Sequence, residues 1–446
     1  MKKGGSRMAN DRDELYTRYE KREALRKKRQ MEQRKMVFGL VAAVLILVCV
    51  IVGIIVIASD AGKKAAHNEA LDAAGITTPS ETTQTTEPTE TTRSRRDPLT
   101  TIHIKAAGDL NVTTNVVDAG LAASGFDFTR AFMDVAPILS DAELTILNLE
   151  GNICGEPYGS ASTSAPKELL DGLRNAGVDL VQMANSCAIN NGLIGMTTTL
   201  QAVRTAGIEP VGAFSNEAEW KRSGGYTIME VQGIKVAFVA FTKGIGGMGM
   251  PAGNENLVNL LYTDYSSTYR TIDKDRINKT LDRVNAERPD IVIAMLHWGS
   301  EYNDVISDTQ KSIVSLLQKK GVDVIIGTHP HLVQEVSYDP LSGTLVAYSL
   351  GDFFGDATRG GTNYSVILDL EITKDSDTGV TKVTGWDYTP IYTLKETDCD
   401  GYQRVVRIKE AMFAFESNFV DRVTQACYDD MKYSLERITS RLSGKG

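Results

Sequence analysis

From Val37 to Ala58 the chain reads VFGLVAAVLILVCVIVGIIVIA, without one charged residue. A helix rises about 1.5 Å per residue and a bilayer core is about 30 Å thick, so roughly 20 such residues suffice to cross it. The run is longer than the apolar region of a cleaved signal peptide, and the tail before it is longer than a signal's basic head. One transmembrane helix is therefore expected over 37–58. Residues 1–35 carry 13 Lys/Arg against 6 Asp/Glu, a surplus of +7. That surplus places the N-terminus in the cytoplasm. The expected product is a single-pass cell-membrane protein with its main domain outside the cytoplasm. Its basic tail, 1–36, has mixed charges at helical spacing and reads as a solvated helix near anionic headgroups.

The whole chain has a net charge of −9, so everything after the tail carries −16. Such an acidic ectodomain excludes nucleic acid as a partner, because phosphates need a basic surface. Residues 59–99 form a Thr/Pro-rich linker. Its stretch TTPSETTQTTEPTETTRSRRD has too few apolar residues to bury a core and acts as a spacer. A folded α/β domain is expected over 100–400, followed by a helical C-terminal segment over 401–446.

Within the domain, apolar runs alternate with amphipathic ones. Ile102–Ala107, Leu144–Leu149, Leu180–Ala184 and Glu209–Ala213 read as strands. Between them, Phe128–Leu139, Lys167–Ala176 and Leu193–Ala206 read as helices, the last two stopped at Gly177 and Gly207. A hairpin turns at Gln232–Gly233. Helices 274–286 and 309–320 then precede strands 291–296 and 324–326. Paired strands follow at 345–349, 365–372 and 381–392, and 410–442 is helical. This order predicts layered α/β structure with mixed sheets, whose ligands gather at the carboxyl ends of strands.

That edge is where the polar residues fall. Of five histidines, His297 ends one apolar run and His329 and His331 follow another. Asp109 and Glu150 also stand directly after strands. Imidazoles and carboxylates together are a usual ligand set for Zn, Mn or Fe. Two such metals can clamp a phosphoester and generate hydroxide near neutral pH. His103, inside a strand, reads as structural. The sequence Gly244–Gly249 fits G-x-G-x-x-G but leads into Pro251 rather than a helix, so a loop near the site is expected. Ser164–Lys167 fits S-x-x-K without its companion motifs. Of the cysteines, Cys399 and Cys427 offer a possible bridge.

Residues 102–354 resemble the poly-γ-glutamate capsule-synthesis (CapA/PgsA-like) family. The resemblance rests on blocks in family order: Ala107-Gly108-Asp109, Asn148-Leu149-Glu150-Gly151, Ser164-Ala165-Pro166, Ala184-Asn185, His297-Trp298-Gly299-Ser300-Glu301-Tyr302, His329-Pro330-His331 and Tyr348-Ser349-Leu350-Gly351. It implies an α/β/β/α metallophosphoesterase-like domain, in keeping with one N-terminal membrane anchor. It also implies divalent metal held by Asp109, Glu150, His297, His329 and His331, with Cys187 and His297 as catalytic candidates. The implied role is biosynthesis, export or tethering of an extracellular anionic polymer, alongside other capsule-synthesis subunits.

The departures fall in one place. Where the family reads Ala-Asn-Asn-His and later an Asp, this chain has Ala184-Asn185-Ser186-Cys187 and then Asn190. By analogy with metallophosphoesterases, Ser186 stands in for an amide ligand and Cys187 for a general-acid histidine. Asp352 replaces a family Asn and keeps an oxygen. Two readings follow: a metal-dependent phosphoester hydrolase or transferase, and a non-catalytic binding or assembly subunit on the same fold. A third, a glycosidase using Asp109 and Glu150, would leave the histidines without a role.

Overall fold

The structure is a computed structural model that describes residues 98–399, 401–418 and 423–442. The expected transmembrane helix, the basic tail and nearly all of the linker lie outside the described residues. Among the described residues no helix is long and apolar enough to cross a membrane.

Two mixed sheets carry the chain. The first contains β1 (Leu99–Asn111), β2 (Leu144–Glu150), β3 (Leu180–Gln182) and β4 (Glu209–Val211) as parallel neighbours. The second contains β5 (Tyr226–Val231), β6 (Ile234–Thr242), β7 (Ile291–His297), β8 (Val324–Thr328), β9 (Val336–Asp339) and β10 (Thr344–Ala347), in the order β5-β6-β7-β8-β10-β9. The chain then returns to the first sheet. There β11 (Asp352–Phe354) pairs parallel with β1, while β12 (Tyr364–Asp375), β13 (Thr381–Leu394) and β14 (Arg404–Arg407) extend it antiparallel.

Side-chain alternation in β6 explains the layering. Val236, Phe238 and Ala240 join the large core between the sheets, which also takes Ile293 and Met295 of β7. Their neighbours Ala237, Val239 and Phe241 face the other way, onto Ile277 and Leu281 of the helix Lys274–Ala286 and Ile313 and Leu317 of the helix Asp308–Gln318. Successive side chains of a strand point to opposite faces. A run that is apolar at every position must therefore be covered on both sides. On the outer face of the first sheet, the helix Glu168–Ala176 buries Leu169, Leu170 and Leu173. Each such side chain contributes about 1.5–3 kcal/mol of transfer free energy. The architecture is the expected α/β/β/α.

Some boundaries differ from the sequence reading. The single helix expected over 128–139 is two short ones, Thr129–Phe132 and Ala136–Leu139. Pro137 lacks an N–H to donate to the preceding turn and favours a helix start, so it opens the second helix instead of continuing the first. The stretch expected to be wholly helical after residue 400 begins with β14, the edge strand paired with β13. The helices Ile408–Glu416 and Gln425–Leu442 follow, and the latter buries Met431 and Ile438. Cys399 and Cys427 are both buried thiols of this region. Burial, with Asp398 adding, pushes the Cys427 thiol up to about 12.

Candidate metal centre

The site forms where the carboxyl edges of the two sheets meet. Asp109 is not beyond its strand, as the sequence suggests, but inside β1, which runs on to Asn111 past a register shift. There it stands beside Asn148 of β2 and Asp352 of β11. The close approach of β1 to β11 requires Gly108, since a Cβ there would sit 1.8 Å from the Gly351 carbonyl oxygen. On the second sheet, His297 and Thr328 are register partners at the ends of β7 and β8. Gly327 has the same role here, with a Cβ position 1.9 Å from Tyr348 O and 2.5 Å from Trp298 Nε1.

Two of the histidines are held in an uncommon backbone conformation. His329 and His331 have φ of 91° and 58°, and Tyr302 opposite them has 56°. Non-glycine residues rarely adopt positive φ, and such strain persists where the surroundings over-determine it. Here the restraints are visible. The His329 N–H donates to Asp109 Oδ2 at 3.0 Å, and the Tyr302 N–H to Pro330 O at 2.9 Å.

The donor atoms then converge. His297 turns Nδ1 toward Thr328 Oγ1 at 3.1 Å, which leaves Nε2 facing Glu150 Oε1 at 3.4 Å and His329 Nδ1 at 3.0 Å. His331 places Nδ1 against Asp352 Oδ1 at 2.7 Å and Nε2 toward Glu150 Oε2 at 4.0 Å. Asp352 thus stands behind His331 and orients its ring, as carboxylates do behind metal-ligating histidines. Three overlapping groups could each hold a cation: Glu150–His297–His329, Asp109–Glu150–His331, and Glu301–His329–His331. In every group the donor atoms lie within 4.8 Å of one another.

The electrostatics follow from burial and crowding. Burial and the charge of Glu150 raise the Asp109 carboxyl. Burial works on Glu150 in the same direction, but His297, His331 and His329 around it overcome that and hold it well below the carboxylate range. Burial and the neighbouring His297 push His329 well below an ordinary imidazole. For His331 burial also acts downward, yet Asp352, Glu150 and Asp109 together raise it well above. Burial lifts Asp352 itself to about 7. Glu150 Oε2 is buried with no hydrogen-bond partner.

Asn185, Ser186 and Cys187 border this cluster after β3. Asn185 Nδ2 donates to Asn148 Oδ1 at 3.0 Å and to Leu149 O at 2.7 Å. The Ser186 hydroxyl donates to Glu150 Oε1. Burial, then the Glu150 charge, pushes the Cys187 thiol up to about 12, so its sulfur keeps its proton. Cys187 belongs to none of the three donor groups. The glycine loop lies where expected, with Gly246 against Ser186, and no helix follows it. Ser164 is structural, its hydroxyl donating to Gly155 O at 2.8 Å. His103 pairs with Asp369 on the sheet, away from the cluster.

The sequence reading missed four participants. Asn148 Nδ2 donates to Asp109 Oδ1 at 2.6 Å and fixes that carboxylate. Glu301 and Tyr302 belong to the block that begins at His297, so their position in the block was the available signal. Lys243, at the end of β6, had no signal except following an apolar run.

Comparison with known proteins agrees with the family named by the motif blocks. The model of the family described as "Bacterial capsule synthesis protein PGA_cap" matches residues 103–357. Over 221 residues the chain is 28% identical to "PGA biosynthesis protein CapA" of Bacillus subtilis (strain 168), which covers 50% of this chain and 54% of that protein. Over 262 residues it is 25% identical to "Capsule biosynthesis protein CapA" of Bacillus anthracis, covering 56% and 60%. The chain thus spans somewhat more than half the length of these curated relatives. Among solved structures, it is similar to the calcineurin-like phosphoesterase YfkN of Bacillus subtilis at 16% identity, over 77% of this chain and 99% of that one, with a TM-score of 0.42. A phosphatase of Mycoplasma pneumoniae matches at 15% identity, over 66% and 94%, with a TM-score of 0.40.

Proposed function

The chain belongs to the bacterial capsule synthesis protein (PGA_cap) family, and from that premise we propose that it is a membrane-anchored cell-envelope protein whose outer domain acts on an extracellular anionic polymer by metal-dependent phosphoester hydrolysis or transfer. The polymer suggested by the relatives' names is poly-γ-glutamate, and other capsule-synthesis subunits are the expected partners. The anchor is the uncharged run 37–58 with its basic tail inside.

One observation carries the chemical part. Glu150 Oε2 is buried and unpartnered, and it points toward His331 Nε2 in a site where His297 and His329 also converge. Leaving a buried carboxylate oxygen unsatisfied costs several kcal/mol unless a cation completes it. The donor set, three imidazoles and carboxylate oxygens, suits Zn, Mn or Fe. Glu150 would be shared, with His297 and His329 on one side and Asp109 and His331 on the other. Bound there, divalent metal supplies Lewis acidity and lowers the pKa of water.

The chain's own groups set the rest. Asn148 and the His329 N–H hold Asp109 in one orientation. Asp352 fixes the tautomer of His331 by accepting from its Nδ1. Cys187 stands at the position of the expected general acid and holds its proton, but a thiol pushed up to about 12 is a weak proton donor near pH 7.

This weakness favours a second reading, a binding or assembly subunit without turnover. In it, the Ser186 hydroxyl that caps Glu150 takes up a carboxylate oxygen that an active centre would give to metal. Metal content and phosphodiester hydrolysis measured on the full-length chain separate the readings. Metal with turnover supports the first, and metal without turnover supports the second. A chain that binds no divalent metal and is indifferent to chelator would overturn the first and leave the second, which metal-dependent turnover would overturn.

A further inference from the structure

Two cations stand at the outer side of the histidine cluster with no carboxylate partner among the described residues. The Arg359 guanidinium lies over the Tyr302 ring, 3.9 Å from its centroid, and that ring also stacks on His331 at 5.4 Å and 28°. Lys243 sits over Tyr269, 4.8 Å from the centroid, and its Nζ donates to Gly299 O at 2.6 Å. Its backbone N–H donates to His297 O at 2.8 Å, and its charge is felt by His329. Among the described residues neither cation forms a salt bridge, although exposed acidic groups abound on this chain. The nearby carboxylate of Glu301 acts on both Lys243 and Tyr302 through its charge only.

Stacking holds a guanidinium flat while its in-plane N–H edges stay available, a geometry that matches the paired oxygens of a carboxylate or phosphate. Lys243 contributes a point charge from a partly desolvated place, where an anion is held more strongly than in open water. Tyr302 couples the two layers, because the ring that supports Arg359 also supports the ligand histidine. We propose that Arg359 and Lys243 are the receptor for an anionic group of the substrate, seating its oxygens at the mouth of the centre. This rests on the proposed function for the identity of the substrate, but the receptor itself needs no metal.

The test titrates the full-length chain with inorganic phosphate and, separately, with a short γ-linked glutamate oligomer, before and after chelation. Arg359→Gln and Lys243→Gln are each expected to weaken binding of the preferred anion about ten-fold or more, as loss of a charge-assisted contact does. Arg359→Lys should recover only part of it, since the paired geometry is lost. Arg283→Gln is the matched control, for Arg283 stacks on Trp220 in the same way, 5.0 Å from its centroid, on another part of the surface. It should leave affinity unchanged. Preference for phosphate or for the oligomer identifies the source of the anion. If Arg359→Gln and Lys243→Gln, folded by circular dichroism, bind both anions as the parent does, or if Arg283→Gln loses as much, the receptor is overturned. A dependence on Arg359 that survives in a chain shown to hold no metal would keep the receptor while the metal reading fails.

Discussion

His329 Nδ1 lies 3.0 Å from His297 Nε2, and Glu150 Oε1 lies 3.4 Å from the same His297 nitrogen. Three atoms with lone pairs converge on one point, where a single cation would satisfy all of them. The full-length chain, purified without chelator, should therefore carry divalent metal, and His297→Ala and His329→Ala should each lose most of it. Metal at a hundred times its Kd stabilises the fold by about 2.7 kcal/mol, so chelator should lower the thermal midpoint by a few degrees. Elemental analysis and thermal scans decide this. Unchanged metal content in His329→Ala would sink the assignment.

At Cys187 the thiol is held protonated by burial and by Glu150, pushed up to about 12. Its reaction with a thiol reagent at pH 8 should be at least about ten-fold slower than that of an ordinary exposed cysteine. The double change Ser186→Asn with Cys187→His restores the side chains found in the family pattern. If those positions limit turnover, phosphodiester hydrolysis should rise by roughly a hundred-fold or more, the range of general acid catalysis. A double variant that binds metal but hydrolyses no faster would count against the hydrolase reading.

Asp323 sits half-buried at the entry to β8, with the Val292 N–H donating to it at 2.8 Å. Burial pushes its carboxyl up to about 6 from an ordinary 3.8, and that hydrogen bond offsets only part of the shift. The folded chain therefore holds this proton more tightly than the unfolded one. The group's contribution to stability is complete below about 3.8 and is lost as the pH rises through about 6. Asp323→Asn keeps the acceptor and removes the charge, so it should stabilise the chain at pH 8 by roughly 1–3 kcal/mol and by little at pH 4. Denaturant midpoints at the two pH values check it, and an equal effect at both would refute the account.

Gly327 allows β8 to pass under Tyr348 and Trp298. A methyl group at this position would meet backbone at 1.9 Å, and the neighbouring Trp298 is locked by its own bond to Tyr348 O at 2.9 Å. Gly327→Ala should cost about 3 kcal/mol or more and disturb metal binding through His297 and His329. Gly343, whose Cβ position meets nothing within 4 Å and whose φ is +73°, is the comparison. Gly343→Ala should cost only about 1 kcal/mol. Similar losses at both positions, read from unfolding curves, would argue against the close approach.

The layered fold was legible because β6, β7 and β8 are apolar at nearly every position, which permits only strands covered on both faces. The helix ends at Gly177 and Gly207 were legible for the local reason that glycine tolerates a left-handed cap. Short strands were not. Asp352–Phe354 exists through pairing with β1, distant in sequence, while Val336–Asp339 and Arg404–Arg407 are edge strands on their chain neighbours β10 and β13, and in each too few residues are involved to show a period. The site was legible as residue types at strand ends, since His297, His329, Asp109 and Glu150 each follow an apolar run. Its outer half was not. Lys243 and Arg359 come from unrelated loops, and only the tertiary structure brings them to Tyr269 and Tyr302.

The helix Gln425–Leu442 reaches back to the site. Arg441 donates to Asp304 and, at 2.6 Å, to Val333 O, and Arg437 lies 3.6 Å from Asp304. Asp304 belongs to the loop that carries Glu301 and Tyr302, and Val333 closely follows His331. Arg441 thus ties down both walls of the histidine cluster. A chain being synthesised from its N-terminus would complete that tie only when residue 441 arrives. The centre would then be assembled late, after the rest of the sheet framework has left the ribosome, and a chain cut short would present its histidines without the brace that holds them.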